Sequence, residues 1–324
     1  MTQDTRPTAR LAADPAGIAA AAALLRRGGL VGFPTETVYG LGADATSAAA
    51  VAGIYAAKGR PRFNPLIAHV ADLEAAAEQG RFDADALALA RAFWPGPLTL
   101  VVPAAPGCTV SDLARAGLDS VALRVPAHPV ARALIAEAGL PVAAPSANRS
   151  GRISPTAAAH VLADLEGRID AVLDGGPTAV GVESTIVACL GVPTLLRPGG
   201  VTRAAVEAVL GRSLAASAVG GPTVAPGMLL SHYAPRAAVR LDAEELRRGE
   251  AGLDFGSRFA GQGGPVLDLS RHCDLAEAAA NLFGFLRGLD ERLDGRGSIA
   301  VAPIPEEGLG EAIRDRLARA AAAR

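Results

Sequence analysis

Lys58 is the only lysine in a chain whose lysines and arginines together number 31. It opens the run KGRPRFNPLIAH, residues 58–69, where Arg60 and Arg62 follow it closely. An ammonium is a compact point charge that suits a phosphate, and a guanidinium offers a planar fork of donors. Together these cations suit a polyphosphate clamp. A solvated basic loop accounts for the run equally well, so the other chemistry-bearing residues must decide.

They are dispersed but alike in kind. In residues 121–125, VALRV, the apolar row Val121, Leu123 and Val125 falls on one face of a strand and Arg124 on the other, beside the small Ala122. An arginine among small residues suits a carboxylate or a phosphate. Thr35, Glu36 and Thr37 bring hydroxyls and a carboxylate to a glycine-rich stretch that lets backbone approach a ligand. Ser146 and Asn148 follow an apolar strand, and Ser154-Pro155-Thr156 reads as the N-cap and first turn of a helix, whose free N–H groups attract anions. Ser184 and Arg197 stand at the mouths of two more strands. His232 and Tyr233 are embedded in a stretch otherwise rich in Gly, Pro, Ser and Ala.

The elements that must position these groups alternate. A helix is expected from Asp14-Pro15 to about Arg27, a strand over residues 30–33, and a helix from about Ser47 to Ala57 that delivers Lys58 and stops at Gly59. Two helices, from Asp72 and from Asp83, precede the Trp94 corner, where the only tryptophan reads as packing. The organisation expected is α/β: a catalytic domain over residues 1–210, a linker over 211–236 folding over the site, and a small C-terminal α/β domain over 237–324. That last domain is expected to hold strands near Val239, Phe255, Val266 and Ile299, helices near Glu244, Leu275 and Leu309, and no polar constellation.

Composition narrows the classes. Half the residues are hydrophobic and the net charge is -2, which argues against disorder and gives no general pull toward nucleic acid or an anionic membrane. Cys108, Cys189 and Cys273 stand far apart, which fits a reducing compartment, so a cytoplasmic protein without a signal peptide is expected. There is no GxxxxGK[ST], no GxGxxG after the first strand, no HExxH and no GxSxG. The five histidines have no metal-ligand spacing, so no metal ligand is assigned to the protein's side chains. Hydroxyls, amides and arginines without a nucleophile point to binding and orienting a charged substrate.

The segments FPTETVYGLG, KGRPRFNPLIAH, WPGPLTLV, VALRVPAHP, PVAAPSAN, SPT, GVESTIV, LLRPG and SHYAP, in this order, resemble those of threonylcarbamoyl-AMP synthases, the YrdC-like proteins, in their longer form with an extra C-terminal domain. The resemblance implies a twisted sheet around a deep cavity, followed by a small Rossmann-like domain. It implies L-threonylcarbamoyladenylate synthesis, a nucleotidyl transfer that joins L-threonine, bicarbonate and ATP with Mg2+ and releases pyrophosphate. The product would serve N6-threonylcarbamoyladenosine modification of tRNA through a separate transferase complex. Direct contact with tRNA is left open.

Carried over residue by residue, the resemblance puts threonine on Thr35, His69, Arg124, Ala144 (through its backbone) and Ser184. It puts ATP on Lys58, Arg60, Asn64, Ser120, Ser146, Asn148, Ser154, Arg197, His232 and Tyr233, with Lys58 and Arg60 offsetting charge on the leaving pyrophosphate. One departure is Arg115, where related chains often carry threonine. Two rival readings are an RNA-binding module without catalysis, opposed by the near-neutral charge, and a carbamoyl-transfer enzyme of the hydrogenase-maturation kind. That second class resembles larger proteins with acylphosphatase and zinc-finger parts, neither of which is found in this sequence.

Overall fold

The computed structural model describes residues 7–61, 64–216 and 232–322. Arg62 and residues 217–231 of the expected linker therefore lie outside the described residues. The first sheet is built from β1 (Ala9–Ala12), β2 (Val31–Pro34), β3 (Tyr39–Asp44), β4 (Ile67–His69), β5 (Leu98–Pro103), β6 (Ser120–Arg124), β7 (Val142–Ala143), β8 (Ala171–Asp174), β9 (Thr185–Ala188), β10 (Thr194–Arg197) and β11 (Ala215–Ala216). Across the sheet the order is β1-β8-β2-β3-β7-β4-β6-β5-β9-β10-β11, with parallel and antiparallel pairs mixed. The helices are α1 (Pro15–Arg26), α2 (Ala48–Lys58), α3 (Leu73–Gln79), α4 (Ala84–Phe93), α5 (Asp112–Arg115), α6 (Pro129–Ala138), α7 (Ala158–Leu165) and α8 (Arg203–Leu210). Asp14, Ser47, Asp72 and Asp83 each accept a backbone N–H at a helix start, as their residue types dictate. The segment around Arg115 closes on itself: its guanidinium donates to the carbonyls of Val110 and Leu118 and pairs with Asp112.

Alternation along the central strands sorts side chains by face. Tyr39, Leu41, Ala68, Leu123 and Val187 join Ile54 of α2, Leu89 of α4 and Val161 of α7 in the main core. On the opposite face, Phe33 and Val142 pack with Leu25 of α1 and Leu134 of α6. Further along that face the residues are fewer and smaller, with Ile67, Ala122 and Ile186 forming a minor cluster. This thinly covered part of the sheet is where the chemistry-bearing side chains collect.

The second domain has a parallel sheet of β12 (Ala238–Arg240), β13 (Ala251–Asp254), β14 (Val266–Asp268) and β15 (Ser298–Val301), in the order β12-β15-β13-β14, with α9 (Leu275–Arg292) and α10 (Gly310–Ala321). The helix expected near Glu244 is not there; residues 241–250 run as turns and bends. The stretch carries too few apolar residues for a buried stripe, and its charges tie the loop instead, Glu244 to Arg258 and Glu250 to Arg240. No described helix is long and apolar enough to cross a membrane.

The two domains share a core. Val38, Ile153 and Val182 of the first pack into the same cluster as Leu282, Phe283 and Ile313 of the second. Gly181 marks a close approach of the two backbones: its φ is 76°, and an added Cβ would collide with the backbone of Ala279 and Ala280 in α9. We expect Gly181→Ala to cost about 2–4 kcal/mol, strain and overpacking together. Gly211→Ala has a similar positive φ but open space around it, and should cost the strain alone. Urea midpoints of the two variants measure the difference; equal shifts would mean that the domains are not wedged together at Gly181.

Candidate active site

Thr35, Arg60, Ala144, Ser146, Arg197, His232 and Tyr233 line one cavity, together with Glu183. Its free volume is about 40 Å³, room for little more than water, whereas ligand pockets run to roughly 300–1,000 Å³. A roomier cleft of about 410 Å³ lies between the domains, but each of its arginines is paired with an acid, Arg152 and Arg287 with Asp164, and Arg236 with Asp290. The uncompensated cations are in the smaller cavity.

Buried polar atoms without partners point the same way. Among the described residues six such side-chain atoms exist, and four of them, Arg60 Nε, Asn64 Oδ1, His69 Nδ1 and His232 Nδ1, belong to residues expected to bind substrates. An unmade bond of this kind costs about 1–3 kcal/mol, so each of these atoms marks a place where a ligand would supply the missing partner; Arg60 and His232 are on the cavity wall itself.

Arg197 reaches the cavity through an irregularity. Simple alternation would put it on the same face as Leu195, in the main core. A bulge between Leu195 and Arg197 shifts the register, so that Leu195 opposes Val187 while Arg197 opposes Ile186 of the minor cluster. Its guanidinium then donates to the Ser184 carbonyl and hydroxyl, and Ser184 Oγ also bonds Thr99 Oγ1 at 2.8 Å. Arg60 donates to the carbonyls of Asn64 and Pro65, and burial lowers its pKa to about 10. Ser120 sits two residues before Ala122, the register partner of Ile67, and so lies level with Pro65 at the Arg60 end of the sheet, off the cavity wall.

Lys58 is the last residue of α2, with Gly59 as its left-handed cap at φ 61°. Its ammonium is committed to backbone, donating to the carbonyls of Ser146 and Asn148. Its own carbonyl accepts from Ser150 N–H at 2.9 Å. Burial, then Arg60, pushes its pKa well below that of ordinary lysine. Lys58 thus fixes the loop that carries Ser146 and Asn148, and Asn148 braces the same loop by donating to the carbonyls of Arg149 and Arg152.

At the other end, Arg124 and His69 are register partners on β6 and β4. Arg124 pairs with the buried Glu36 at 2.6 Å and donates from Nε to the Gly96 carbonyl, which leaves guanidinium donors for a second acceptor. Burial alone would raise the Glu36 pKa, but Arg124 and backbone N–H groups outweigh it and hold it below the ordinary carboxylate value. His69 is neutral in the physiological range, its pKa pushed to about 3 by burial and then by Arg124. Thr35 donates to the Val38 carbonyl at 2.6 Å, and Ala144 N–H donates to Ile67.

Ser154 caps no helix. Helix α7 begins at Ala158, with Ala157 at its cap position and no side-chain cap. The Ser154 hydroxyl instead donates to Glu183 Oε1 at 2.6 Å, because a buried carboxylate offers more than a local backbone N–H. Glu183 was not singled out as a ligand from sequence, nor was Arg316, which comes from α10 and donates to Glu183 Oε2 at 2.8 Å. That contact corrects the expectation that the second domain lacks polar groups of consequence. Burial opposes ionisation of Glu183, yet Arg316 and Arg197 pull its pKa down to about 2. His232 and Tyr233 enter beside them. The Tyr233 ring stacks on Phe283 of α9 at 5.5 Å, and His232 N–H donates to the Arg319 carbonyl.

Comparison with known proteins agrees with this organisation. Residues 23–199 match the sequence model of a family described as "Telomere recombination", and residues 201–322 match one described as "Threonylcarbamoyl-AMP synthase, C-terminal domain". The chain is similar to a Bacillus subtilis protein named threonylcarbamoyl-AMP synthase, at 43% identity over 98% of this chain and 96% of that one. A Pyrococcus abyssi protein of the same name is 44% identical over 93% of this chain and 92% of its own. Among solved structures, P. abyssi Sua5 complexed with L-threonine superposes with a TM-score of 0.87 at 38% identity, covering 98% of each chain.

Proposed function

The chain belongs to the threonylcarbamoyl-AMP synthase family, and we propose that its cavity joins L-threonine, bicarbonate and ATP into L-threonylcarbamoyladenylate and pyrophosphate. The observation that carries this reading is the set of partnerless buried polar atoms on four expected ligands, Arg60, Asn64, His69 and His232, of which Arg60 and His232 line the cavity beside Arg197. Threonine sits at the Arg124 end, its carboxylate on the guanidinium donors that Glu36 and Gly96 leave over. The threonine amine takes up bicarbonate with loss of water and becomes a carbamate. A carbamate oxygen attacks the α-phosphorus of ATP as the bond to pyrophosphate breaks.

The chain's residues position and neutralise. Arg60 and Arg197 offset phosphate charge directly, while Lys58 acts through the loop it braces. His232 and Tyr233 cover the nucleotide, and must shift to admit it, since they help leave only about 40 Å³ free. Mg2+ belongs to this reading as the companion of the triphosphate. Glu183, the only carboxylate on the described wall, is taken by Ser154 and Arg316 and is not free to hold the ion. The reading puts the enzyme in the cytoplasm, upstream of a transferase complex that delivers the threonylcarbamoyl group to tRNA.

Pyrophosphate release from ATP is expected only when threonine and bicarbonate are both present, with a product of the adenylate's mass seen by mass spectrometry. Equal release without threonine would make the protein a plain ATP hydrolase and end this reading.

A further inference from the structure

Arg316 is the largest wholly buried side chain among the described residues, and it belongs to the second domain. Its contacts nevertheless lie mostly in and around the cavity of the first. Nε donates to Glu183 Oε2 at 2.8 Å and Nη2 to the carbonyl of Pro198, next to Arg197, at 2.9 Å. Its guanidinium carbon stands 5.3 Å from the centre of the Tyr233 ring. Nη1 is anchored at home, on Asp315 at 2.6 Å.

Glu183 poses an electrostatic problem for a site that takes polyanions. It is a buried carboxylate on the same wall as Arg60 and Arg197, and unpaired it would repel phosphate and compete for those arginines. Ser154 supplies only a neutral donor. Arg60 and Arg197 give their bonds to carbonyls and a hydroxyl, which leaves their charge available. Among the described residues, only Arg316 cancels the charge of Glu183 by a direct bond.

We infer that Arg316 is a positioning residue by which the second domain sets the charge of the first domain's cavity: it neutralises and aims Glu183 and holds the face of Tyr233. The wall then presents Arg60 and Arg197 to an anion without a competing carboxylate. The second domain thereby becomes part of the anion site without touching substrate. It rests on the proposed reading of this cavity as the polyphosphate site.

The test is calorimetric titration of the full-length chain with ATP, with inorganic pyrophosphate and with L-threonine. Arg316→Met keeps side-chain bulk and removes the charge; it should weaken ATP and pyrophosphate by about 10- to 100-fold. Threonine affinity should stay within about threefold, because Arg316 touches none of Thr35, His69 and Arg124. Arg316→Lys should fall between Arg316→Met and the parent. The deciding variant is Glu183→Gln with Arg316→Met. With the stray carboxylate gone, it should regain most of the anion affinity, which a merely structural role for Arg316 would not allow. Unchanged anion binding in Arg316→Met, or a double variant no better than the single one, overturns the inference. If Arg316→Met alone is insoluble, the double variant decides: soluble and anion-binding supports the inference, insoluble or non-binding overturns it. A parent chain that binds pyrophosphate but not ATP would remove the nucleotide reading and leave this one standing on pyrophosphate; a parent that binds neither removes both.

Discussion

Replacing Arg124 by alanine is expected to abolish threonine binding and to destabilise the whole first domain. The sequence suggests that this variant should fold normally and be impaired only in holding its ligand. The buried pair changes that expectation. Glu36 is tied to Arg124 at 2.6 Å and accepts from the N–H groups of Ala127 and His128, so the carboxylate cannot turn out to water when its partner goes. Removing one member of a buried ion pair costs about 3–5 kcal/mol, more than a bond to the ligand is worth. The pH dependence gives a second signature. In the parent chain the folded pKa of Glu36 is depressed, so its contribution to stability is present above the ordinary carboxylate pKa and is lost as pH falls through the lower folded value. In Arg124→Ala burial becomes the dominant influence and the folded pKa rises. The variant should then gain stability as pH falls from 7 to 5, a range in which this group leaves the parent nearly flat. Urea midpoints at the two pH values check the sign. Glu36→Gln combined with Arg124→Met should recover stability but not threonine binding. An Arg124→Ala chain as stable as its parent would mean that the pair does not hold the domain together.

The alternating strands and capped helices were legible because they rest on local chemistry. Asp14, Ser47, Asp72 and Asp83 start their helices in the structure as their side chains require. Arg124 was legible too, since Ala122 and Arg124 share the face opposite Leu123 by simple alternation. What the sequence hides is everything decided by a distant partner. Ser154-Pro155 has the local form of a helix start, but Glu183, 29 residues on, captures the hydroxyl. Gly40 and Gly42 look like loop glycines, yet they lie in the buried strand β3, where the missing side chains make room for Phe33, Ala144 and Val142. Strand β1, Ala-Arg-Leu-Ala, is too short and too exposed to show an alternating buried face, and it exists by pairing with β8. The bulge that turns Arg197 into the cavity leaves no mark in Leu-Leu-Arg. Arg316 has the least signal of all: in EAIRDRLARAA it is one charge among several on an ordinary amphipathic helix, and only the packed structure buries it.

Cutting the chain after Arg236 is expected to abolish adenylate formation as fully as cutting after Leu210. From sequence, a chain ending at Arg236, which keeps His232 and Tyr233, is expected to retain more adenylate yield than one ending at Leu210. The structure argues otherwise, because the aromatic stack and the cation–π contact on Tyr233 both come from the domain beyond it. Tyr233 is buried against Phe283 at 5.5 Å and under Arg316 at 5.3 Å, and His232 N–H is held by the Arg319 carbonyl. An aromatic stack is worth about 0.5–1.5 kcal/mol and a buried cation–π contact about 2. Losing both lowers the docked population of the strap by roughly 50- to 400-fold. A strap that rarely docks leaves the carbamate open to water, so ATP would be consumed or released without adenylate. The shorter pieces should also be poorly soluble, since Val38, Ile153 and Val182 lose the apolar partners that cover them. Phe283→Ala in the full chain separates the two effects: it weakens the strap's seat while the domain remains, and should lower the adenylate formed per ATP consumed without aggregation. The readout is that ratio for the two shortened chains, Phe283→Ala and the parent. If the chain ending at Arg236 matches the parent, the strap seats itself without the second domain, and the coupling through Phe283 and Arg316 does not exist.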